Sequence, residues 1–480
     1  MGLVKIFKGK LNIFFPIALV VLCFLLIFTR IPFFDEANAY LISKFSLNEL
    51  FQITRFEGHP LIWFLILKLF SWTNFYPQAI FFPTCIISIC LIFFFWRKAP
   101  FSCFIKVLIL FSFPFLGYFL IVARPYGLTI LLLFLTIHCF KKQIWVLFSL
   151  FLAILANVTI MGTIGAISFL VLFIKKIFQE KIDKKVLFFS VLIVFFGFLT
   201  LFLQLYNPQI PNKIGEFDTL LKKNLIYYFI FPFKDFHLKT LAQNLFQVSS
   251  FALFYASLFL FFKKEKNAFI FLFLSFLFLT LLFLYIYTGA IWHYFFYFIF
   301  FIASLWICWD KIEKNKIYKY FLVLFFILMV NPVFYIDRGI DVLNESEKYK
   351  FILDRIILDN ELKNSKLFCF EKNSYIAPSL IPYLEKKQIF LHDINGYKRG
   401  SFDSYLKTYS KKDNKNKIDS FALKVDKNRN NYLLVNNLSD INIPYDVVLK
   451  SNKHKIILKL IDKIDECIFA IYKIEVAEID

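Results

Sequence analysis

Residues 268–287 read AFIFLFLSFLFLTLLFLYIY, and this stretch contains no charged side chain. The hydrocarbon core of a bilayer is about 30 Å thick, so a helix needs about 20 apolar residues to cross it. Within hydrocarbon, backbone N–H and C=O groups must be paired inside the segment, which a helix achieves. The stretch therefore predicts a membrane-spanning helix.

Similar apolar runs lie on both sides of this stretch. Residues 251–262 and 318–335 have almost no charge, and the whole chain of 480 residues is 59% hydrophobic and 21% aromatic. A soluble globular protein has no way to bury that much apolar surface. We predict an all-α polytopic membrane domain over residues 1–335, with about eleven spans. The predicted spans are 11–33, 77–96, 101–122, 126–140, 143–160, 162–175, 186–206, 244–262, 267–287, 294–310 and 318–335.

Positive charge is concentrated in this membrane region. Before residue 336 there are 30 basic and 12 acidic residues, a balance of +18, and the remaining residues balance to +3, which together give the formal charge of +21. The basic residues form short clusters between apolar runs, as cytoplasmic loops do under the positive-inside rule. The charge is thus explained by membrane topology, and nucleic acid is not an expected partner.

The orientation of the chain depends on residues 59–72, a short apolar segment that Lys68 interrupts. With about 14 residues, such a segment favours a re-entrant or interfacial helix over a span. The later basic clusters then face the cytoplasm, with about 20 basic residues inside and about 10 outside; a spanning segment would invert that ratio. We therefore predict an uncleaved first span with a cytoplasmic N-terminus, outward loops over residues 34–76 and 207–243, and a C-terminal domain outside the cytoplasm.

The pattern changes after the last predicted span, where residues 336–480 predict a small α/β domain. Short strands are expected at 367–370, 388–391 and 432–435, and helices at 346–358 and 374–384. The spacing of residues 461–467 is typical of a helix, and residues 468–474 suit a closing strand. Cys369 and Cys467 share this domain, and whether they pair is left open.

Two adjacent acids follow the first predicted span, in the sequence Phe33-Phe34-Asp35-Glu36. A carboxylate at a membrane surface is suited to base chemistry on a hydroxyl, because desolvation near lipid raises its pKa. Acids also favour the first turn of a helix, so an N-terminal cap is the alternative. Composition alone leaves both open.

Two polar residues lie on the outward side near helix starts. His59 lies between Gly58 and Pro60 at a turn, where it suits a phosphate contact or simply a helix cap. Arg124 precedes Pro125 at the outer end of a span. An arginine there either snorkels to the phosphates of the lipid surface or binds a phosphodiester ligand.

The sequence Trp292-His293-Tyr294 also falls on the outward side. An aromatic belt at the membrane interface explains Trp292 and Tyr294. It does not explain His293.

Taken in order, these motifs resemble those of a known family. A first span ending in Asp-Glu, an amphipathic helix, Glu-Gly-His-Pro-Leu before an apolar helix, and Ala-Arg-Pro-Tyr at a later span are similar to the bacterial type C glycosyltransferases. That family is related to protein O-mannosyltransferases and aminoarabinose transferases, and the resemblance covers about residues 1–335. It implies a polyprenyl-phosphate-linked sugar as donor and a hydroxyl of an envelope glycan, lipid or protein as acceptor.

The resemblance also implies roles for matched residues. Asp35 would be the catalytic base, with Glu36 as helper or alternative base. The donor site would be lined by Glu57, His59, Arg124, Tyr126 and His293, with Arg124 on the lipid phosphate. No cofactor is certain, no metal-ligand set is evident, dependence on a divalent metal is left open, and so is a phosphate-binding role for Lys68.

The leading hypothesis is a glycosyltransferase at the extracytoplasmic face of a bacterial inner membrane, with a polysaccharide polymerase or ligase as a variant. One rival is a transporter or flippase, which predicts polar residues at mid-span and inverted repeats. Asn157 and Thr159 lie in a span but near its outer end, and no repeat is evident. The other rival is a non-enzymatic envelope-assembly protein.

Overall fold

The fold is seen in a computed structural model, which is mostly helical with a small C-terminal sheet. It describes residues 2–57, 59–71, 75–206, 252, 255–286, 291–313, 353–369, 383, 391–393, 422–423, 425, 429–436, 446–450, 454–464 and 469–478.

The chain divides into two compact units, each built from segments distant in sequence. The first unit contains Met1–Ile27, Phe51–Trp63 and Phe82–Gly339. The second contains Phe28–Leu50, Phe64–Phe81 and Ile340–Asp480. Residues of the first predicted outward loop therefore fold in one unit with the C-terminal domain.

Most of the described helices lie within residues 2–312. They are α1 (Gly2–Phe28), α2 (Phe34–Ser43), α3 (Leu47–Glu57), α4 (Ile62–Ser71), α5 (Gln78–Lys98), α6 (Cys103–Leu110), α7 (Tyr126–Lys142), α8 (Trp145–Ala156), α9 (Ile160–Gln179), α10 (Lys184–Leu205), α11 (Lys266–Tyr285) and α12 (Ile291–Ile312).

Within the described residues, five helices are long and apolar enough to cross a membrane. They are Gln78–Lys98, Ile160–Gln179, Lys184–Leu205, Lys266–Tyr285 and Trp292–Ile312. The protein is therefore a membrane protein, but eleven spans are not shown. The predicted span at 318–335 and the loop at 207–243 lie outside the described residues, and the span at 244–262 is described only in part.

The span predicted at residues 101–122 is not one continuous helix. Helix α6 ends at Leu110, and a π-helical segment, Phe113–Phe119, follows it. Ser112 between them is extended, with φ −62° and ψ 148°, and Pro114 begins the new segment. Proline has no N–H to continue a helical ladder, which is the physical reason for the break.

Helix α4 has the short length predicted for the segment after Gly58. Its 10 residues extend about 15 Å at the rise of an α-helix, half of the hydrocarbon thickness. The helix predicted soon after the first span is also present, as α2.

In the first unit, polar groups at the ends of α8 and α10 hold the start of α4. The Asn157 side-chain amide donates to the carbonyl oxygen of Gly197, 2.8 Å away. A Cβ on Gly197 would lie 2.4 Å from the Cβ of Ala153, so only glycine permits this close helix pair. Gln204 donates to the Asn157 side chain at 2.8 Å and accepts from the Leu61 N–H at 2.7 Å. The segment before α4 is thus fixed to α10.

The C-terminal part of the second unit contains a six-stranded mixed sheet in the order β2-β1-β3-β6-β5-β4. The strands are β1 (Lys366–Cys369), β2 (Leu391–Asp393), β3 (Asn431–Asn436), β4 (Asp446–Lys450), β5 (His454–Ile464) and β6 (Phe469–Glu478). Strand β1 runs parallel to β2 and β3, and the remaining neighbours are antiparallel. Its core includes Phe368, Leu433, Ile456 and Tyr472.

The predicted strands near residues 367 and 432 are confirmed as β1 and β3, and the closing strand as β6. The helix predicted at 461–467 is wrong, because β5 continues to Ile464 between β4 and β6. The register shifts between Leu460 and Asp462, and this irregularity leaves Ile461 54% exposed. A bulge interrupts the alternation of a strand and so produces helix-like spacing.

Some C-terminal predictions fall outside the described residues. Only Tyr383 is described within the helix predicted at 374–384. Cys467 and the side chain of Cys369 also lie outside them.

Candidate functional site

In the first unit, four of the residues nominated from sequence meet where three helices begin. Arg124 Nη2 donates to His59 Nε2 at 3.3 Å, and the Tyr126 hydroxyl lies 2.8 Å from His293 Nε2. The rings of His59 and Tyr126 have centroids 6.2 Å apart, which joins the two pairs. His59 precedes α4, Tyr126 is the first residue of α7, and His293 lies in the first turn of α12. We call these four residues the donor cluster, because they present hydrogen-bond donors.

The guanidinium of Arg124 fixes the tautomer of His59. A guanidinium can only donate hydrogen bonds, so His59 Nε2 must accept and the ring proton must be on Nδ1. That Nδ1 atom is buried and has no hydrogen-bond partner among the described residues. The cluster therefore presents an N–H donor that awaits an acceptor.

A second buried donor adjoins the cluster. The Trp292 indole stacks on Tyr118 with centroids 5.4 Å apart and planes at 6°. Within the described part of the chain, its Nε1 is buried without a hydrogen-bond partner. The Tyr118 ring lies 6.1 Å from that of Tyr126, and Trp292 directly precedes His293, so both belong to one aromatic wall.

Backbone packing sets the position of Tyr126. A Cβ on Gly127 would lie 2.6 Å from the carbonyl oxygen of Phe119, so glycine allows α7 to begin directly against the π-helical segment. Tyr126 is 1% exposed and His293 4%, whereas Arg124 and His59 are intermediate. An approaching ligand therefore meets Arg124 and His59 before the buried Tyr126–His293 pair.

The electrostatics of the cluster suit an anion. Helix N-termini carry partial positive charge from the macrodipole, and three of them meet here with a guanidinium. Burial, followed by the charge of Arg124 and by His293, holds the pKa of His59 well below its usual range. A group of donors under positive potential binds phosphate or carboxylate rather than a metal cation.

His59 also predicts a pH dependence of stability. The unfolded imidazole titrates near pH 6.5, whereas the folded one stays neutral to a lower pH, so the unfolded state binds the extra proton between those values. The free energy of unfolding should therefore fall as pH drops below about 6.5, by up to about 1.4 kcal/mol per pH unit. Thermal unfolding of wild type and His59→Gln in nanodiscs between pH 7.5 and 5 measures this. Parallel curves for the two proteins would contradict it.

The second unit contains the acid pair, with Glu36 in a fully buried ion pair. Arg30 Nη1 and Nη2 donate to the two Glu36 carboxylate oxygens, each at 2.5 Å, and both side chains are 0% exposed. The Phe33 N–H also donates to Glu36 at 2.6 Å. Arg30 lies over the rings of Phe33 and Phe81, at 5.0 and 5.4 Å from their centroids. Glu36 thus joins the end of the first helix to the first turn of α2.

Asp35 occupies the same first turn as Glu36 but is only half-buried. Adjacent residues of a helix point in different directions, so the two carboxylates have different surroundings. Of the two acids, Asp35 is the more exposed.

Other charged residues of this loop have structural partners. Glu49 accepts from the N–H and hydroxyl of Ser46 at the start of α3, at 2.9 and 2.7 Å. Lys68 donates to the carbonyl oxygens of Ser43 and Phe45 at the end of α2. An ammonium there caps the helix, which is how this structure uses the lysine whose role the sequence left open. The side chain of Glu57 lies outside the described residues.

Sequence reasoning missed three contributors. Gln204 is a lone amide in an apolar span, and that rarity was its signal. Trp292 was attributed to an aromatic belt, and Tyr118 is unremarkable in a chain with 24 tyrosines.

The described residues contain no group of three or more His, Cys, Asp or Glu side chains arranged to hold a metal ion. Comparisons of the chain with protein-family models, with curated proteins and with solved structures find no match.

Proposed function

We propose that the chain is a membrane glycosyltransferase, which transfers a sugar from a polyprenyl-phosphate donor to a hydroxyl of an envelope glycan, lipid or protein. The observation that carries the proposal is the donor cluster with its buried His59 Nδ1–H, which has no hydrogen-bond partner among the described residues. Burying a polar group without a partner costs free energy, so such a donor is retained where a ligand completes it.

The location of the cluster favours a lipid phosphate. Tyr126 and His293 lie in the first turns of α7 and α12, apolar helices of a membrane protein, so the cluster lies at helix ends of the membrane domain. A polyprenyl phosphate combines an anionic head with a long apolar chain. Arg124 presents a planar fork that matches two phosphate oxygens, and the His59 N–H supplies a further bond.

The proposed transfer is a single displacement with inversion, and the roles of Asp35 in the second unit and of Arg124 in the first are those that the family resemblance implies. The Asp35 carboxylate takes the proton of the acceptor hydroxyl as its oxygen attacks the anomeric carbon. The bond from that carbon to the phosphate oxygen breaks, and the electron pair leaves with the polyprenyl phosphate. Arg124 and His59 stabilise the negative charge on the leaving phosphate. We assign the base to Asp35 and not to Glu36, because both oxygens of Glu36 are bonded to Arg30.

This chemistry belongs on the extracytoplasmic face of a bacterial inner membrane. Support comes from the charge distribution under the positive-inside rule and from the short α4. The first loop and the C-terminal domain contribute to one compact unit, which is expected if both lie on the same side.

The transporter alternative has less support. The polar residues that the transporter reading would use are engaged in packing: Asn157 bonds to Gln204, and Thr159 to Thr129 at 3.0 Å. Thr159 also caps α9 by accepting from the Gly162 N–H at 2.9 Å. These groups form hydrogen bonds that connect or cap helices, and they do not line a polar pathway for a substrate.

Binding of a polyprenyl monophosphate to the purified full chain in nanodiscs tests the proposal. At about 100 times its Kd, this probe should stabilise the protein by about 2.7 kcal/mol. Arg124→Met should weaken binding about 10- to 150-fold, because a hydrogen bond to a charged group contributes about 1.5–3 kcal/mol.

The matched control is Arg97→Met, which removes an exposed arginine at the end of α5 and should bind as wild type does. Polyprenol, which lacks the phosphate, should not stabilise the protein. Equal binding of polyprenol and the phosphate, or unchanged binding by Arg124→Met, would refute the proposed donor site.

A further inference from the structure

The C-terminal domain contributes one side chain to the environment of the acid-bearing helix. The Tyr383 ring meets the Tyr76 ring edge-on, with centroids 4.9 Å apart and planes at 76°. Tyr76 in turn lies 5.0 Å from the Tyr40 ring, which belongs to α2. Tyr76 and Tyr40 are 5% and 1% exposed. All three belong to the second unit.

Tyr40 and Glu36 lie on the same face of α2, because residues four apart in a helix are neighbours. Helix α2 is therefore held on one face at two points: Glu36 by the Arg30 pair, and Tyr40 by the tyrosine contacts. Burial raises the pKa of the Tyr383 phenol, while the charge of Arg30 lowers it and that of Glu36 raises it. Tyr383 thus contacts the tyrosine attachment directly.

We propose that Tyr383 is a positioning residue, through which the C-terminal domain holds α2 and so fixes the carboxylate of Asp35. The catalytic part of this inference rests on the proposed function. The C-terminal domain then helps to position the proposed base rather than being a separate appended module. An aromatic edge-to-face pair adds attraction beyond its buried area, which is enough to bias the position of a short helix.

A positioning role of Tyr383 differs from a purely structural one in its effect. It should change turnover and leave the affinity for polyprenyl monophosphate unchanged. Tyr383→Ala removes the ring contact, and Tyr383→Phe keeps it. A displacement of about 1 Å at a catalytic group costs on the order of 10²-fold in rate. We therefore expect Tyr383→Ala to reduce the envelope product on the order of 10²-fold, and Tyr383→Phe to restore it.

The experiment uses the full chain and combines three measurements: the envelope product in cells, the affinity for polyprenyl monophosphate, and hydrogen exchange of the α2 amides. Tyr383→Ala should lower the product and speed exchange at residues 34–43, with affinity unchanged. Leu423→Ala is the control, since Leu423 lies in the same domain and is 78% exposed. It should change none of the three.

The outcomes separate this inference from the proposed function. Unchanged α2 exchange in Tyr383→Ala overturns the positioning role, whatever the chain catalyses. If Asp35→Asn removes the product while Tyr383→Ala keeps it, the inference fails and the transferase stands. If Asp35→Asn leaves the product intact, the transferase fails, and with it the catalytic role of Tyr383. If Tyr383→Ala is lost from the membrane and Tyr383→Phe is not, Tyr383→Leu replaces Tyr383→Ala in the experiment. Leucine retains bulk without the aromatic ring and should still speed α2 exchange, and unchanged exchange in this variant overturns the positioning role.

Discussion

Asp35→Asn should remove nearly all transfer while leaving the protein folded and able to bind the donor. An amide of the same size cannot accept the proton of the acceptor hydroxyl, and a general base contributes about 10²–10⁴ in rate. Asparagine still suits the first turn of α2, so helix formation is not disturbed. Envelope glycans and lipids of cells that carry the variant measure transfer, and thermal unfolding of the purified chain measures folding.

Glu49→Gln is the matched control for this prediction. Glu49 is an exposed acid of the same loop that caps α3 through Ser46. Its replacement should leave the envelope unchanged. If cells with Asp35→Asn have a normal envelope, the non-enzymatic assembly protein becomes the better description of the chain.

Glu36→Gln should have the opposite profile, with a large loss of stability. The substitution leaves the Arg30 guanidinium in a site that is 0% exposed, without its carboxylate. Removing one partner of a buried ion pair costs about 3–5 kcal/mol, because the remaining charge is uncompensated. The free energy of unfolding, from thermal or denaturant unfolding in nanodiscs, checks this value.

Two further variants test whether the uncompensated charge of Arg30 causes the loss of stability in Glu36→Gln. Arg30→Met with Glu36→Leu removes both charges and should recover much of the lost stability, since apolar replacements of a buried pair are often neutral or stabilising. Asp310→Asn breaks the Lys141–Asp310 pair, in which the Asp310 side chain is 67% exposed, and should cost at most about 1 kcal/mol. A loss for Glu36→Gln no larger than for Asp310→Asn would show that solvent reaches the Arg30 pair.

Much of the chain's architecture follows from local sequence. Apolar runs of span length predict α5, α10 and α11, because composition and length alone decide whether a helix is compatible with a bilayer. Short apolar runs predict β3 and β6, as is typical of strands in a buried sheet. The break after α6 was missed although Pro114 signals it in the sequence. The extent of β5 was missed because the irregularity at Leu460 is a feature of backbone geometry and not of composition.

The candidate site, like the fold, could be predicted from the sequence only in part. The sequence nominated His59, Arg124 and His293 as rare polar residues on one expected face, and Tyr126 through the family resemblance; the structure brings these four together. Local sequence did not separate Asp35 from Glu36, since adjacent acids have equal propensities, and only the resemblance favoured Asp35 as the base.

What the sequence determined by itself is thus the membrane character of the chain, most of its helices and strands, and the residue types available for chemistry. Only the tertiary structure decided that Glu36 pairs with Arg30, that Lys68 caps α2, that Gln204 fixes the start of α4, and that Tyr383 lies beside Tyr76. The physical reason is distance along the chain. Helix and strand patterns depend on neighbours within a few residues, whereas Gln204 and Tyr383 are 143 and more residues from their partners and meet them only after the chain has packed.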